Sequence, residues 1–434
     1  MAASGEKKEG SPESTIRQPK WQKGSTENLP LVPNNPTIPN PKITRSRMDF
    51  AAGMAKQLLL NQVKKRSYNN FALSPTSIDV VLGMVAAGSR GPTLERILAL
   101  LGAQDIDEIK QSASAMMTAA AHCGGDGPVL CMVNGAWVDK RFPLVESYKE
   151  EILKGIYNCD TQTVDFLYQA NEVVNNVNSW VENASKGLIT ILLEPDSISP
   201  DTAIILANGL YFKGIWTSEH EFDASLTKKR NFYLLTGDTI SIPFMTSCDA
   251  YHYGSFDSFK VLKIPYEGAE LDRKFSMYFF LPHGKGGLQN LLEELCSNSG
   301  SLNQDFFNLK EVYLNKFWIP KFAFSYEFTV SETMKETEMT FPFIESPEDF
   351  SEMMTIPKGI QFVSTQMFQK VVIKVDEKGT EAEVITEICA MKSTGGCCSP
   401  PKSSFVADHP FIFMVKEEIS GLIFFMGAVL NPGL

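Results

Sequence analysis

The chain contains no uninterrupted apolar run of the roughly 18 residues that a membrane-spanning helix needs, so no span and no membrane partner are expected. Cysteine is scarce, with eight in 434 residues at irregular spacing. That is too few for a disulfide scaffold, and it fits reduced thiols. Basic charge is outweighed: 40 Lys and Arg against 51 Asp and Glu leave a net charge of −11. Nucleic-acid binding, which wants a clustered basic surface, is not expected. The opening residues, MAASGEKKEGSPEST, carry no apolar core of a secretory signal, which points to the cytoplasm or to cytoplasm and nucleus.

The chemistry of an enzyme is also missing. No Gly-x-Ser-x-Gly elbow occurs, and Asp408-His409, being adjacent, are not expected to form the base–orienter pair of a triad. Cys389, Cys397 and Cys398 lack the two-residue gap that lets two thiolates hold one zinc, so no metal is expected. Redox sensitivity of these thiols is a minor alternative. Gly284-Lys285-Gly286-Gly287 lacks the Ser or Thr that follows the lysine of a phosphate loop, and reads as a turn after a strand ending at Pro282. No cofactor is expected. Asn183-Ala184-Ser185 is a glycosylation sequon, silent unless the protein is secreted.

What is present is material for a large core: 43% apolar residues, 29 of the 434 being Phe. Residues 1–47 stand apart. Pro12, Pro19, Pro30, Pro33, Pro36, Pro39 and Pro41 interrupt any ladder, and eight Lys/Arg against four Asp/Glu give this segment a charge of +4. It reads as a disordered, solvated extension, with targeting or an acidic partner as the alternative. From Met48 the pattern is globular, with Phe50, Met54, Leu58 and Val63 near helical spacing. Ser77 is expected to cap an apolar helix through Val80, Val81, Met84 and Val85 that ends at Gly88, and Gly91-Pro92-Thr93 to start the next. Strand-like runs follow at 129–138, 202–212, 261–264, 275–281 and 312–324. Helical stretches come early and strands late, an α+β order without internal repeats.

The end of the chain carries the sharpest signal. An apolar strand, VVIKVDEKGTEAEV (residues 371–384), is followed by a soft segment, 389–404, with Gly395-Gly396 and Pro400-Pro401. Phe405, Ala407-Asp408-His409-Pro410-Phe411, Gly421, Phe424-Phe425, Gly427 and Pro432 close the chain. This block resembles the C-terminal signature of serpins, plant serpins of the Z type above all. Asn70, Ser74-Pro75, Ser77, Gly88, Gly91 and Thr93 resemble the family's early helices. Trp180-Val181, Gly187 and Ile189, then residues 208–214 (NGLYFKG) with Trp216, then Pro265-Tyr266, Pro282 and Pro320-Lys321-Phe322, follow in family order.

The resemblance spans residues 48–434 and implies one domain of three β-sheets with eight or nine helices and an exposed reactive loop at about 377–404. In the family a serine or cysteine protease cleaves that loop, which then inserts as a strand into the largest sheet and traps the acyl-enzyme. The implied partner is such a protease, the implied state a monomer, and no residue acts as a catalyst. Family association leaves an extracellular location open. The implied hinge is Glu377, Gly379, Thr380, Glu381, Ala382, Glu383, Val384 and Ile385. The implied scissile bond is Ser393–Thr394 or Lys392–Ser393. The implied sheet-opening cluster is Ser74, Ser77, Asn208 and Gln369, where the family has histidine in place of Gln369.

Two departures bear on function. Period-2 alternation puts Thr380, Ala382, Val384, Thr386 and Ile388 on one face and Glu381, Glu383 and Glu387 on the other, and the resemblance implies that the face of the threonine points inward. Active relatives carry alanines where this chain has Glu383-Val384-Ile385, and Val384 overfills an inward position. The expectation is a non-inhibitory serpin, or one that inhibits weakly; the alternative is a working suicide inhibitor.

Overall fold

Ser74 starts the most deeply buried helix of the fold. A computed structural model describes residues 41–65, 67–120, 128–185, 187, 189–268, 274–297, 308–330, 347–359, 364–380 and 403–434. In it α2 (Pro75–Ala87) begins after Ser74, whose Oγ accepts from the Ser77 N–H at 3.1 Å, with Pro75 in the first turn where no N–H is needed. The expected cap, Ser77, therefore lies one turn inside the helix. α1 (Pro41–Lys65) precedes it, and its start at Pro41 is seven residues earlier than the expected onset of the globular body at Met48. A proline in the first helical turn explains how a Pro-rich segment can open a helix. α3 (Gly91–Leu101) buries Thr93, Ile97 and Leu101 at four-residue spacing and ends on the left-handed Gly102. α4 (Ile106–Ala120), α5 (Phe166–Ala184) and α6 (Leu288–Ser297) complete the α-helices among the described residues.

The strands form three sheets. A seven-stranded sheet has the order β1 (Phe71–Leu73), β17 (Ile423–Val429), β16 (Phe411–Glu417), β9 (Phe275–Pro282), β8 (Phe259–Pro265), β7 (Ala250–Ser255), β10 (Lys310–Tyr313). A four-stranded sheet runs β15 (Ser404–Val406), β11 (Lys316–Pro320), β6 (Thr239–Met245), β5 (Lys228–Tyr233). The third, with six strands, runs β12 (Phe322–Thr329), β13 (Ser364–Asp376), β14 (Gly379–Thr380), β4 (Thr202–Ile215), β2 (Val129–Asp139), β3 (Cys159–Val164). The class is α+β, as expected. Two runs resolve differently from the sequence reading. Residues 312–324 are parts of three strands, divided at 314–315 and Lys321. Residues 371–384 are not one strand: β13 ends at Asp376, and the chain turns at Glu377-Lys378 and reverses as β14.

One face of the six-stranded sheet meets the main core, which includes α2 and the fully buried strands β16 and β17. The opposite face carries α5. Asp165 caps that helix by accepting from the Tyr168 N–H at 3.1 Å. Its buried stripe, Val173, Val174, Val177 and Val181, packs on Trp137, Ile205 and Ala207 of the sheet.

Candidate functional site

The site is the seam between β4 and β13. These strands pair in parallel from Thr202↔Ser364 to Leu210↔Val371, and beyond that last pair they part. A cavity of about 320 Å³ opens there, lined by Tyr211 and Phe212 of β4, Val372, Ile373 and Lys374 of β13, and Ala323 and Phe324 of β12. The two residues of β14 are wedged into the top of the gap, antiparallel to both neighbours: Thr380 stands opposite Gly214 and Val375, Gly379 opposite Ile215 and Asp376.

Backbone bonds hold the reversal that precedes β14. The Trp216 N–H donates to Lys378 O at 2.8 Å, the Phe222 N–H to Glu377 O at 3.0 Å, and the Trp216 indole to Asp376 O at 3.1 Å. Glu377 accepts from Lys321 Nζ at 2.6 Å and from Thr227 Oγ1 at 2.8 Å. Burial pushes its carboxyl up, but the bonds from Lys321, its own backbone and Thr227 outweigh burial and hold it below the ordinary glutamate range. Gly379 has φ +152°, and a Cβ there would lie 2.0 Å from Gly214 O, so only glycine fits.

The expected cluster beneath the seam is assembled, with bonds that differ from the sequence reading. Gln369 Oε1 accepts from the Ser74 N–H at 2.8 Å and Gln369 Nε2 donates to Ser74 O at 3.0 Å, so the carboxamide clasps backbone rather than the serine side chains. Asn208 stands opposite Gln369 in the ladder, but its Nδ2 donates to Asn134 Oδ1 at 2.6 Å. Asn134 in turn donates to Tyr157 O at 2.7 Å. Ser77 Oγ and Asn208 Oδ1 find no hydrogen-bond partner among the described residues. The sequence reading missed Asn134, whose one signal is a lone carboxamide within the apolar strand β2. It names Tyr266 only as part of the family resemblance and gives it no place at this site, where its hydroxyl shares a 2.6 Å hydrogen bond with that of Thr380.

The other side of the seam is covered. Lys370 Nζ donates to Ile191 O at 2.6 Å and pairs with Glu327 at 2.9 Å, joining β13 to the connector after α5. Asn178 of α5 holds the same connector, accepting from the N–H groups of Leu192 and Leu193 at 2.8 and 2.9 Å. Phe368 and Val372 of β13 pack against the apolar layer beneath α5.

Of the expected hinge, Glu377, Gly379 and Thr380 lie at this site, whereas Glu381, Ala382, Glu383, Val384 and Ile385 fall outside the described residues, as do Lys392, Ser393, Thr394, Cys389, Cys397 and Cys398. One expectation is corrected. Asp408 and His409, though adjacent, do pair, with His409 Nδ1 2.8 Å from Asp408 Oδ1. The other ring nitrogen, Nε2, lies 2.8 Å from the carbonyl oxygen of Pro282 and so ties β16 to the end of β9. Cys159 is buried, which pushes its thiol up and away from reactivity. Among the described residues no three His, Cys, Asp or Glu side chains gather as a metal site.

Comparison with known proteins matches residues 45–432 to the family model described as Serpin (serine protease inhibitor). The chain is 38% identical over 367 residues to Serpin-ZX of Arabidopsis thaliana, covering 84% of this chain and 92% of that one. It is 38% identical over 388 residues to Serpin-Z1C of Triticum aestivum, covering 88% and 94%. Among solved structures it is similar to the native stressed conformation of Arabidopsis AtSerpin1, with a TM-score of 0.80 and 35% identity over 91% of this chain and 99% of the other.

Proposed function

The chain belongs to the serpin family, and from that premise we propose that its loop is cut by a serine or cysteine protease but enters the sheet too slowly for efficient inhibition. Serpins as a family inhibit proteases rather than catalyse reactions. The register of β14 carries the reading. Thr380 lies opposite Gly214 and Val375, and in a continued antiparallel ladder Ala382 comes to lie between Phe212 and Ile373, beside the cavity. Val384 comes next on that face, between Leu210 and Val371, both fully buried and the first pair of the closed seam. The larger side chain therefore meets the sheet where it must first be opened. Overpacking such a site costs about 1–3 kcal/mol. Falling on the insertion barrier, that cost slows entry from severalfold to about a hundredfold, since about 1.4 kcal/mol is tenfold.

Glu387 adds to the barrier. The same register brings it between Ala207 and Phe368, in the apolar layer under α5, where the carboxylate loses water and the diagonal cation, Lys370, is already held by Ile191 O and Glu327. Incubation with proteases of trypsin-like and small-residue specificity, followed by denaturing electrophoresis, tests the reading. Clipped serpin with free protease is expected; a dominant denaturant-resistant adduct overturns it. A working suicide inhibitor is the second reading, favoured by the seated Thr380 and the cavity below it, which leave the first steps of insertion unobstructed.

A further inference from the structure

Tyr266 is held with almost no freedom. Its ring stacks on Trp216 with centroids 4.6 Å apart and 13° between planes, and meets Phe212 edge-on at 5.0 Å. It lies directly over Gly214, where an added Cβ would be 2.5 Å from the Tyr266 ring. The phenol oxygen is thereby aimed at the top of the gap, where it shares its 2.6 Å hydrogen bond with the Thr380 hydroxyl and sits 3.5 Å from Met277 Sδ. Both partners are buried, Tyr266 to 3% exposure and Thr380 to 2%.

We infer that Tyr266 is a positioning residue for loop insertion: its hydroxyl latches Thr380 between β13 and β4, seating the first residue of the incoming strand and fixing its register. Three features support this. Gly214 is the one residue type that admits the ring, and it is also the ladder partner of Thr380. Gly379 allows the backbone to pass Gly214 closely enough to bring Thr380 into reach. Thr380 otherwise belongs to a two-residue strand, too short to hold itself in a sheet. A threonine at the mouth of an apolar gap also needs a partner for its hydroxyl, or burial is penalised.

The inference rests on the reading of the loop as an inserting strand, but its first test needs no protease. Hydrogen exchange of the peptide containing Gly379 and Thr380 is measured in the intact chain, in Tyr266→Phe, in Thr380→Val, in the double variant and in Thr380→Ser. Both single variants keep the shape of the side chain, so the fold is preserved. A single hydrogen bond predicts exchange about two- to tenfold faster in each, no further gain in the double variant, and near-native exchange in Thr380→Ser. Unchanged exchange in Thr380→Val, or additive effects in the double variant, overturns the latch. The second measurement is the rise in thermal stability after loop cleavage, followed in time. A slower rise in Tyr266→Phe supports the latch. Altered exchange in chains that gain no stability on cleavage supports the latch and overturns the insertion reading instead.

Discussion

Lys370 and Ile191 are joined across the seam: the ammonium of β13 donates at 2.6 Å to the carbonyl oxygen of the connector that follows α5. A strand entering between β4 and β13 has to pass beneath that connector, so this bond opposes opening on the outer side. Gln369, the preceding residue, opposes it on the inner side by clasping Ser74 at 2.8 and 3.0 Å. Successive residues of one strand thus bind the two layers between which the sheet must part, as period-2 geometry allows.

Replacing Lys370 with methionine keeps most of the stem and removes the donor. A hydrogen bond from a charged group is worth about 1.5–3 kcal/mol. Amide exchange in the peptide spanning residues 189–193 is expected to rise about tenfold or more, while the central turns of α5, held by Val173, Val177 and Val181, stay unchanged. Equal exchange in variant and parent disproves the tether.

Gln369→Ala leaves a buried N–H of Ser74 without its acceptor at the start of α2. The penalty for one unsatisfied buried group is about 1–3 kcal/mol. Denaturant unfolding is expected to show a loss in that range. Gln369→His is expected to recover only part of it, because the two nitrogens of a ring diverge and do not bracket one residue's N–H and C=O as a carboxamide does. Full recovery by histidine contradicts the clasp.

Much of this architecture is legible in the sequence, and the losses have definite causes. The C-terminal strands, α3 and the late run of β-structure follow from periodicity and punctuation. The reversal at Glu377-Lys378 does not, because an alternating polar and apolar pattern continues through a two-residue turn without a break. The roles of Asn134 and Tyr266 are not legible, since their partners, Asn208 and Thr380, are 74 and 114 residues away in the chain. The opening of α1 within a Pro-rich segment is not legible either, because proline reads as a breaker, although Pro41 occupies a helical position that tolerates it. The Asp408–His409 pair is hidden by sequence adjacency, which constrains the backbone but leaves side-chain rotamers free to meet.

The Glu377 ion pair gives this carboxylate a share in stability toward acid. Its folded pKa is lowered below the unfolded value of about 4.3, so its contribution is fully present above that pH. As pH falls through the folded value the contribution is lost. Comparison of the parent with Glu377→Gln should show a stability difference at pH 6–7 on the order of 1 kcal/mol, discounted for the partly exposed Lys321, that shrinks toward zero below about pH 4. A difference that persists unchanged at low pH rules out the ionised carboxylate as its source.

We propose that the N-terminal extension is dispensable for folding, with its boundary before α1 rather than at Met48. Residues 1–36 carry five of the seven prolines of the extension and no apolar periodic face. Deleting them should leave the melting temperature of the remainder within about a degree. Deletion to Met48 also removes the first two turns of α1 and is expected to cost more. A large loss from the shorter deletion means that the extension docks on the body.

The hinge prediction is the most consequential. Replacing Glu383, Val384 and Ile385 with alanine is expected to raise the fraction of protease encounters that end in a covalent adduct. The acyl-enzyme lives for a time set by the protease, so the outcome depends on how fast the strand enters. In the register begun by Thr380, Val384 reaches Leu210 and Val371 at the first closed pair, and alanine there removes two methyl groups from a filled site. The same register would set Glu383 between Tyr211 and Val372, and alanine removes the cost of drawing that carboxylate out of water. The expected bait residues around Ser393 are untouched, so cleavage itself should keep its rate. The thermal stability gained after cleavage should also increase, because a smaller strand completes the sheet with less strain. If both the adduct fraction and the stability gain stay at parental values, the hinge is not the limiting element. Gln369→His, read in the same adduct assay, then separates a block at the clasp from a block farther along the seam.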